Sequence, residues 1–385
     1  MAGIYIHIPY CRQKCNYCNF FSIVSRKSAP EMIKAICKEM TLKADLLRNN
    51  NELKISYSKK NIETVYLGGG TPSFLSIGLL KELFSAVHEN FNIQANAEIT
   101  FEANPDDITS ENLEAWKSLG VNRLSIGIQS FHDADLKYLK RAHSAQKAIE
   151  CINLAKDHGF NELSIDLIYG IPTLSNEQWI QNLNQFIEFS LPHLSAYALT
   201  VEPNTPLFKQ IQTEKVKPVN EVQSAEQFKI LMDFMGENRY LHYEISNFCK
   251  PGHFAQHNLS YWQGKEYMGF GPSSHSYNGI IRQWNVSSVT EYIKAINQNI
   301  IPSESEVLTL SNQYNEYVMT GLRTMWGCDT EYIQKNFGRD MERYFIDQSK
   351  KWLVKALMKV DGHIYTLTNE GILLADGIAS DLFFL

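Results

Sequence analysis

The sequence predicts an α/β protein: a partial (β/α)6 barrel followed by a small helical, winged-helix-like domain. Three observations carry that expectation. Six short β-branched runs recur along the first half of the chain. Segments of helical period lie between them, the pattern of parallel strands joined by right-handed crossovers. Polar and reactive residues gather at the C-terminal ends of the runs, where α/β barrels carry their chemistry.

The first run, IYIHIP (4–9), leads straight into CRQKCNYC. The second, TVYLGGG (64–70), ends in three glycines and Thr71-Pro72. EITFEANP (98–105), RLSIGIQSF (123–131), ELSIDLIYGIP (162–172) and HLSAYALTVEP (193–203) follow. Between them, MIKAICKEMTLKADLL places apolar residues three and four apart, and AIECINLAKDHG closes a helical period with glycine. A helix is expected over 221–238, then a region rich in aromatics, His and Gly from Tyr240 to Trp284. Further helices are expected at 311–325, 329–336 and 341–358, then a strand pair and a closing helix. The expected division is a barrel over 1–215, an aromatic and His-rich extension over 216–300, and a C-terminal domain over 301–385.

The chain has 385 residues, 44% of them hydrophobic, with a net charge of −6. No basic run marks a nucleic-acid footprint, and the closing segment 361–385 has acids but no Lys or Arg. No signal peptide is expected before Pro9, and no run reaches the ~18 apolar residues of a membrane helix. A soluble, cytoplasmic protein is expected. Of seven cysteines, Cys37, Cys151, Cys249 and Cys328 stand singly and read as buried thiols.

Cys11, Cys15 and Cys18 sit together at the end of the first run. Structural zinc needs four protein ligands. His7 lies within the strand, and no second Cys pair of suitable spacing exists. A [4Fe–4S] cluster normally takes four thiolates, so three leave one iron open to a substrate or cofactor. The glycines at 68–70 let backbone approach a ligand, although a strand-to-helix turn also uses glycine. A dinucleotide G-x-G-x-x-G spacing is absent.

The Cys-x3-Cys-x2-Cys spacing, with Tyr17 before the last cysteine, resembles the radical S-adenosylmethionine superfamily. YIHIPYCRQKCNYC, YLGGGTPSFL, FEANPDD, RLSIGIQSF, LKRAH and IDLIYGIP, in that order, resemble its oxygen-independent coproporphyrinogen III oxidase family. The resemblance implies cluster ligation by Cys11, Cys15 and Cys18. It also implies S-adenosylmethionine contacts from Tyr5, Phe20, Gly70, Thr71, Glu102, Gln129, Arg141, Asp166 and Ala198. Glu102 and Asp166 suit ribose hydroxyls or an ammonium, and Arg141 suits a carboxylate. Taken singly, each also reads as a surface or capping residue.

Two departures separate this chain from the oxidases of that family. Phe20 stands where they carry a fourth cysteine, and the first strand begins at Ile4, where they carry an extension. Both match a sister branch of haem chaperones, which also has a His-Asn-x-x-Tyr-Trp signature, here HNLSYW at 257–262. The implied cargo is haem, with haem-requiring acceptor proteins, membrane-associated respiratory enzymes among them, as partners. His257 offers an imidazole to iron. Tyr261 and Trp262 offer flat faces to a macrocycle. His257 is expected in an exposed linker, His275 is a second candidate and His253 a third. The alternative is that His257 only braces the core. The rival activities are coproporphyrinogen III dehydrogenation and another radical reaction on a tetrapyrrole.

Overall fold

The computed structural model describes residues 2–49 and 61–384. Among them, twelve strands form one sheet. They are β1 (Ala2–Ile8), β2 (Ile62–Gly69), β3 (Ile93–Ala103), β4 (Arg123–Gln129), β5 (Glu162–Tyr169), β6 (His193–Ala198), β7 (Leu241–Glu244), β8 (Asn247–Cys249), β9 (Glu266–Phe270), β10 (His275–Tyr277), β11 (Ile281–Asn285) and β12 (Ser303–Val307). Their order is β12-β11-β10-β9-β1-β2-β3-β4-β5-β6-β8-β7, and the sheet does not close. The six expected strands are adjacent and parallel.

Strand period 2 sorts the side chains. Ile4, Ile6 and Ile8 of β1, Val65 and Leu67 of β2, and Phe101 of β3 are buried in the core shared with the helices. The alternate positions, Tyr5 and His7, Tyr66, and Glu102, face the concave side with Asp166 of β5. The crossover helices begin on caps that the sequence supplies. Ser144 accepts from the Lys147 N–H, and Ser175 forms a reciprocal capping box with Gln178. Each such cap contributes about 1 kcal/mol.

Two expectations change. A seventh parallel strand, β9, pairs with β1 from the other side, and β10–β12 extend that edge antiparallel. At the far edge β8 pairs with β6 and β7 with β8. The segment from Tyr240 to Trp284 is therefore not a linker, because it supplies both margins of the sheet. Each expected run also extends past the C-terminal end of its strand, while the first three strands begin before the expected start. β5 stops at Tyr169, where Gly170 turns the chain with φ +74°.

The C-terminal part has a separate apolar core around Tyr314, Phe345 and Leu382. A three-stranded antiparallel sheet packs there: β13 (Cys328–Asp329), β14 (Met358–Asp361) and β15 (Ile364–Leu367), in the order β13-β15-β14. With helices Leu310–Leu322, Thr330–Phe337 and Arg339–Val354, the chain order is that of a winged helix. It docks on the barrel edge through Met325 N–H to the Tyr243 carbonyl, 3.0 Å, and through Arg282 to Glu316, 2.8 Å. All seven cysteines are free thiols, and Cys37 is half-buried rather than buried. Among the described residues no helix is long and apolar enough to cross a membrane.

Candidate functional site

The cysteines lie on a loop pinned at both ends. Tyr10 and Ile23 form a parallel bridge, the Cys11 N–H donates to the Ile23 carbonyl at 3.0 Å, and Ile23 N–H to Pro9 at 2.7 Å. Buried Asn16 ties the middle down: its side-chain amide donates to the Tyr138 carbonyl at 2.8 Å, and its backbone carbonyl accepts from Leu207 N–H. Arg12 reaches buried Asp107 at 2.7 Å. All three cysteines are thereby presented to one cavity of about 440 Å³ at the C-terminal ends of the strands.

Eight of the nine expected cofactor contacts line the same cavity: Phe20, Gly70, Thr71, Glu102, Gln129, Arg141, Asp166 and Ala198. Tyr5 does not. Its ring stacks behind Tyr66, its hydroxyl lies 3.1 Å from His7 Nδ1, and it lines the neighbouring cleft instead. Thr71 Oγ1 points at Cys11 Sγ (3.5 Å) and Arg141 Nη1 at Cys15 Sγ (3.4 Å). Arg141 Nη2 donates to Asn104 Oδ1 and the Gly127 carbonyl, at 2.9 and 2.7 Å. Arg141 Nε is buried without a partner.

The two carboxylates are desolvated. Burial pushes Glu102 up to about 7, although Tyr66 OH (2.7 Å) and Gly69 N–H (3.1 Å) both donate to it. Burial pushes Asp166 up to about 6, with Ser125 donating at 3.2 Å. Gln129 has φ +69° beside a register shift between Gly127 and Gln129. A non-glycine residue held there stores strain, and such outliers cluster at ligand clamps.

The triple glycine answers first to the protein's own packing. A Cβ on Gly69, which has φ +107°, would enter the His7 ring at 2.6 Å. On Gly70 it would strike the Ile8 and Tyr10 backbone at 2.8 Å.

HNLSYW forms the helix Gln256–Trp262, and the structure corrects its expected position. The helix plugs the barrel from beneath, at the starts of β1–β3. Glu98 accepts from the N–H groups of Gln256 and His257, both at 2.9 Å. His257 is 1% exposed. Its Nδ1 meets Thr64 Oγ1 and its Nε2 meets Tyr261 OH, both at 2.8 Å. Burial pushes its pKa down to about 3. An exposed His257 with a free ring nitrogen is therefore not what the structure contains: in this arrangement the imidazole is a brace. His253 is also engaged, with Nδ1 2.9 Å from Glu162. Tyr261 and Trp262 do face a second space, a cleft of about 1140 Å³ between the barrel and the C-terminal domain. Phe20, 65% exposed, lines both the cleft and the cysteine cavity.

The Radical SAM superfamily model matches residues 5–186, and the HemN C-terminal domain model matches 308–374. Heme chaperone HemW of Bacillus subtilis is 32% identical over 381 residues, covering 98% of each chain. Heme chaperone HemW of Lactococcus lactis is 30% identical, over 97% of this chain and 95% of the relative. The chain belongs to the HemW family. The coproporphyrinogen III oxidase HemN of Escherichia coli superposes with a TM-score of 0.83, over 99% of this chain and 90% of that one. At 22% identity that likeness establishes the fold.

Membership of the radical SAM superfamily implies a [4Fe–4S] cluster and S-adenosylmethionine, and the residues of this HemW-family cavity fit both. Tetrahedral zinc at ~2.3 Å would draw its thiolates together. Among the described residues no three Cys, His, Asp or Glu side chains stand close enough to share one ion. The three thiols line one cavity, and a set of soft ligands of this kind suits iron–sulfur ligation. Arg141 supplies positive charge beside Cys15 and an unpaired buried N–H for an anionic group. Glu102 and Asp166 supply buried acceptors for hydroxyls or a cation.

Sequence reasoning missed Asn258 and Ser195. Asn258, inside HNLSYW, lines the cysteine cavity, and Ser195 of β6 lines it beside Asp166. The inward period of β6 points to Ser195. Nothing local points to Asn258, since its place depends on how the helix plugs the barrel.

Proposed function

We propose that this chain is a haem chaperone, which binds haem and passes it to haem-requiring proteins. The observation that carries the reading is end-to-end similarity to proteins named heme chaperone. In this reading Cys11, Cys15 and Cys18 hold a [4Fe–4S] cluster with one open iron. Glu102 and Asp166 accept from the ribose hydroxyls or the ammonium of S-adenosylmethionine, and Arg141 pairs with its carboxylate. Gln129, Gly70, Thr71 and Ala198 close the walls. Tyr5 steadies Tyr66 from behind, and Phe20 covers the outer side. When bound, the cluster supplies an electron at the sulfonium. The chain's own part is to orient the cofactor and exclude water around it. Tyr261 and Trp262 give the haem an aromatic wall. The setting is the cytoplasm, with acceptors among respiratory enzymes at the inner membrane.

The test uses reconstituted protein with reductant and S-adenosylmethionine, offered either haem or coproporphyrinogen III. Stoichiometric haem binding, transfer to an apo-acceptor and unchanged coproporphyrinogen are expected. Conversion of coproporphyrinogen would instead establish the dehydrogenase reading.

A further inference from the structure

Three imidazoles stand in or near the cleft between the barrel and the C-terminal domain, and they are not equivalent. His7 is buried. Its Nε2 lies 2.9 Å from the Phe21 carbonyl oxygen and its Nδ1 3.1 Å from Tyr5 OH. His257 has both nitrogens engaged with Thr64 and Tyr261. His275, on β10, is exposed and lines the cleft. Neither of its ring nitrogens makes a hydrogen bond among the described residues. Its ring stacks beside Trp284, with centroids 6.1 Å apart and planes 30° apart, which limits how it can turn. Burial, and then the Arg282 charge, push its pKa below the ordinary value, so the ring is neutral at physiological pH. A neutral imidazole with a free nitrogen is the form that binds iron.

The rest of the cleft has the chemistry of a planar, apolar dianion. Trp262 and Tyr261 line the barrel side. Met319 and Trp326, each 40% exposed, line the C-terminal side. Such large apolar groups left open to water in one cleft mark a binding surface. Two cations also line it. Arg282 is paired with Glu316, and the Lys265 ammonium has no carboxylate partner among the described residues.

We propose that haem lies in this interdomain cleft with His275 as its iron ligand and Lys265 and Arg282 toward its propionates. The proposal rests on the haem-chaperone reading and adds the site to it. It separates the haem from the cysteine cavity, with Phe20 standing between them.

The experiment titrates ferric haem into the full-length wild type and into His275→Ala, His275→Cys and His257→Ala, following the Soret band. Melting temperature and iron–sulfur content are measured in parallel. His275→Ala is expected to weaken binding about tenfold or more. It should also change the Soret band while melting and cluster content stay as in wild type. His275→Cys is expected to give a thiolate-type spectrum, which a merely structural role would not produce. His257→Ala is expected to melt earlier and, where folded, to keep the wild-type Soret band. A wild type that binds no haem overturns both the chaperone reading and this site. A wild type that binds haem while His275→Ala matches it in affinity and spectrum overturns the ligand assignment alone.

Discussion

Glu102 and Asp166 show how the site trades stability for binding. Each carboxyl is buried on the wall of a cavity, and its ionised form has lost water; no cation offsets this for Glu102, and the Arg141 and Arg123 charges offset it only in part for Asp166. Between its ordinary value of 4.5 and the folded value of about 7, Glu102 holds a proton in the native state that the unfolded chain gives up. Stability is therefore fully present below about pH 4.5, falls as pH rises, and flattens above about pH 7. Asp166 adds the same sign between 3.8 and about 6. Glu102→Gln should gain on the order of 2 kcal/mol over wild type at pH 8 and little near pH 4.5. It should lose affinity for S-adenosylmethionine. Urea unfolding at the two pH values reads the first effect and equilibrium binding the second. A variant with the wild-type pH slope would show that Glu102 does not set it. Cys15→Ser should lose most of its iron and sulfide after anaerobic reconstitution, because Arg141 then faces a hydroxyl that cannot act as a thiolate ligand. A full cluster in that variant would remove Cys15 from the ligand set.

The helix Gln256–Trp262 is the element whose role changed most between sequence and structure. Its chemistry is visible in HNLSYW, but its position is set by partners far along the chain. Thr64 is 193 residues from His257, and Glu98 is 159 residues from it. No local period encodes such contacts. The cysteines and the cavity carboxylates were legible through the motifs that carry the family resemblance: the cysteines follow β1 directly, Glu102 lies near the end of β3, and Asp166 lies within β5. The strand β9 was not, since it is five residues inside an aromatic-rich stretch, and the helix before it, Gln256–Trp262, is only seven residues long. His257→Ala would leave Thr64 and Tyr261 hydroxyls buried without their partner, at about 1–3 kcal/mol for such a loss. We predict a lower melting temperature. Gly70→Ala tests the second strand end in the same way. Its Cβ would sit 2.8 Å from the backbone that leads into the cysteine loop. The variant should fold yet load less cluster, measured as iron per chain. Normal loading would show that the loop can shift to accommodate the methyl group.

On the scale of the whole molecule, two spaces of different character meet at the barrel mouth. The smaller carries three thiols, the carboxyls of Glu102, Asp166 and Glu202, and Arg141. The larger is aromatic and lies against the C-terminal domain. Asn258 lines the first while Tyr261 and Trp262, on the same helix, line the second. That helix and Phe20 are thus shared walls. A shared wall couples two ligands when its position differs between their bound states, and the coupling is reciprocal by linkage. Phe20 is the better probe, because its exposed ring can be removed without opening the core. We predict that haem changes the affinity for S-adenosylmethionine by a factor within about 5–150, and that S-adenosylmethionine changes haem affinity by the same factor. In Phe20→Ala that factor should fall toward one while cluster content stays as in wild type. The measurement is a pair of titrations, each ligand with and without the other, in both proteins. Unequal factors would mean that the two titrations do not report one equilibrium. An undiminished factor in Phe20→Ala would shift the coupling to the helix beneath, where Asn258 is the next residue to change.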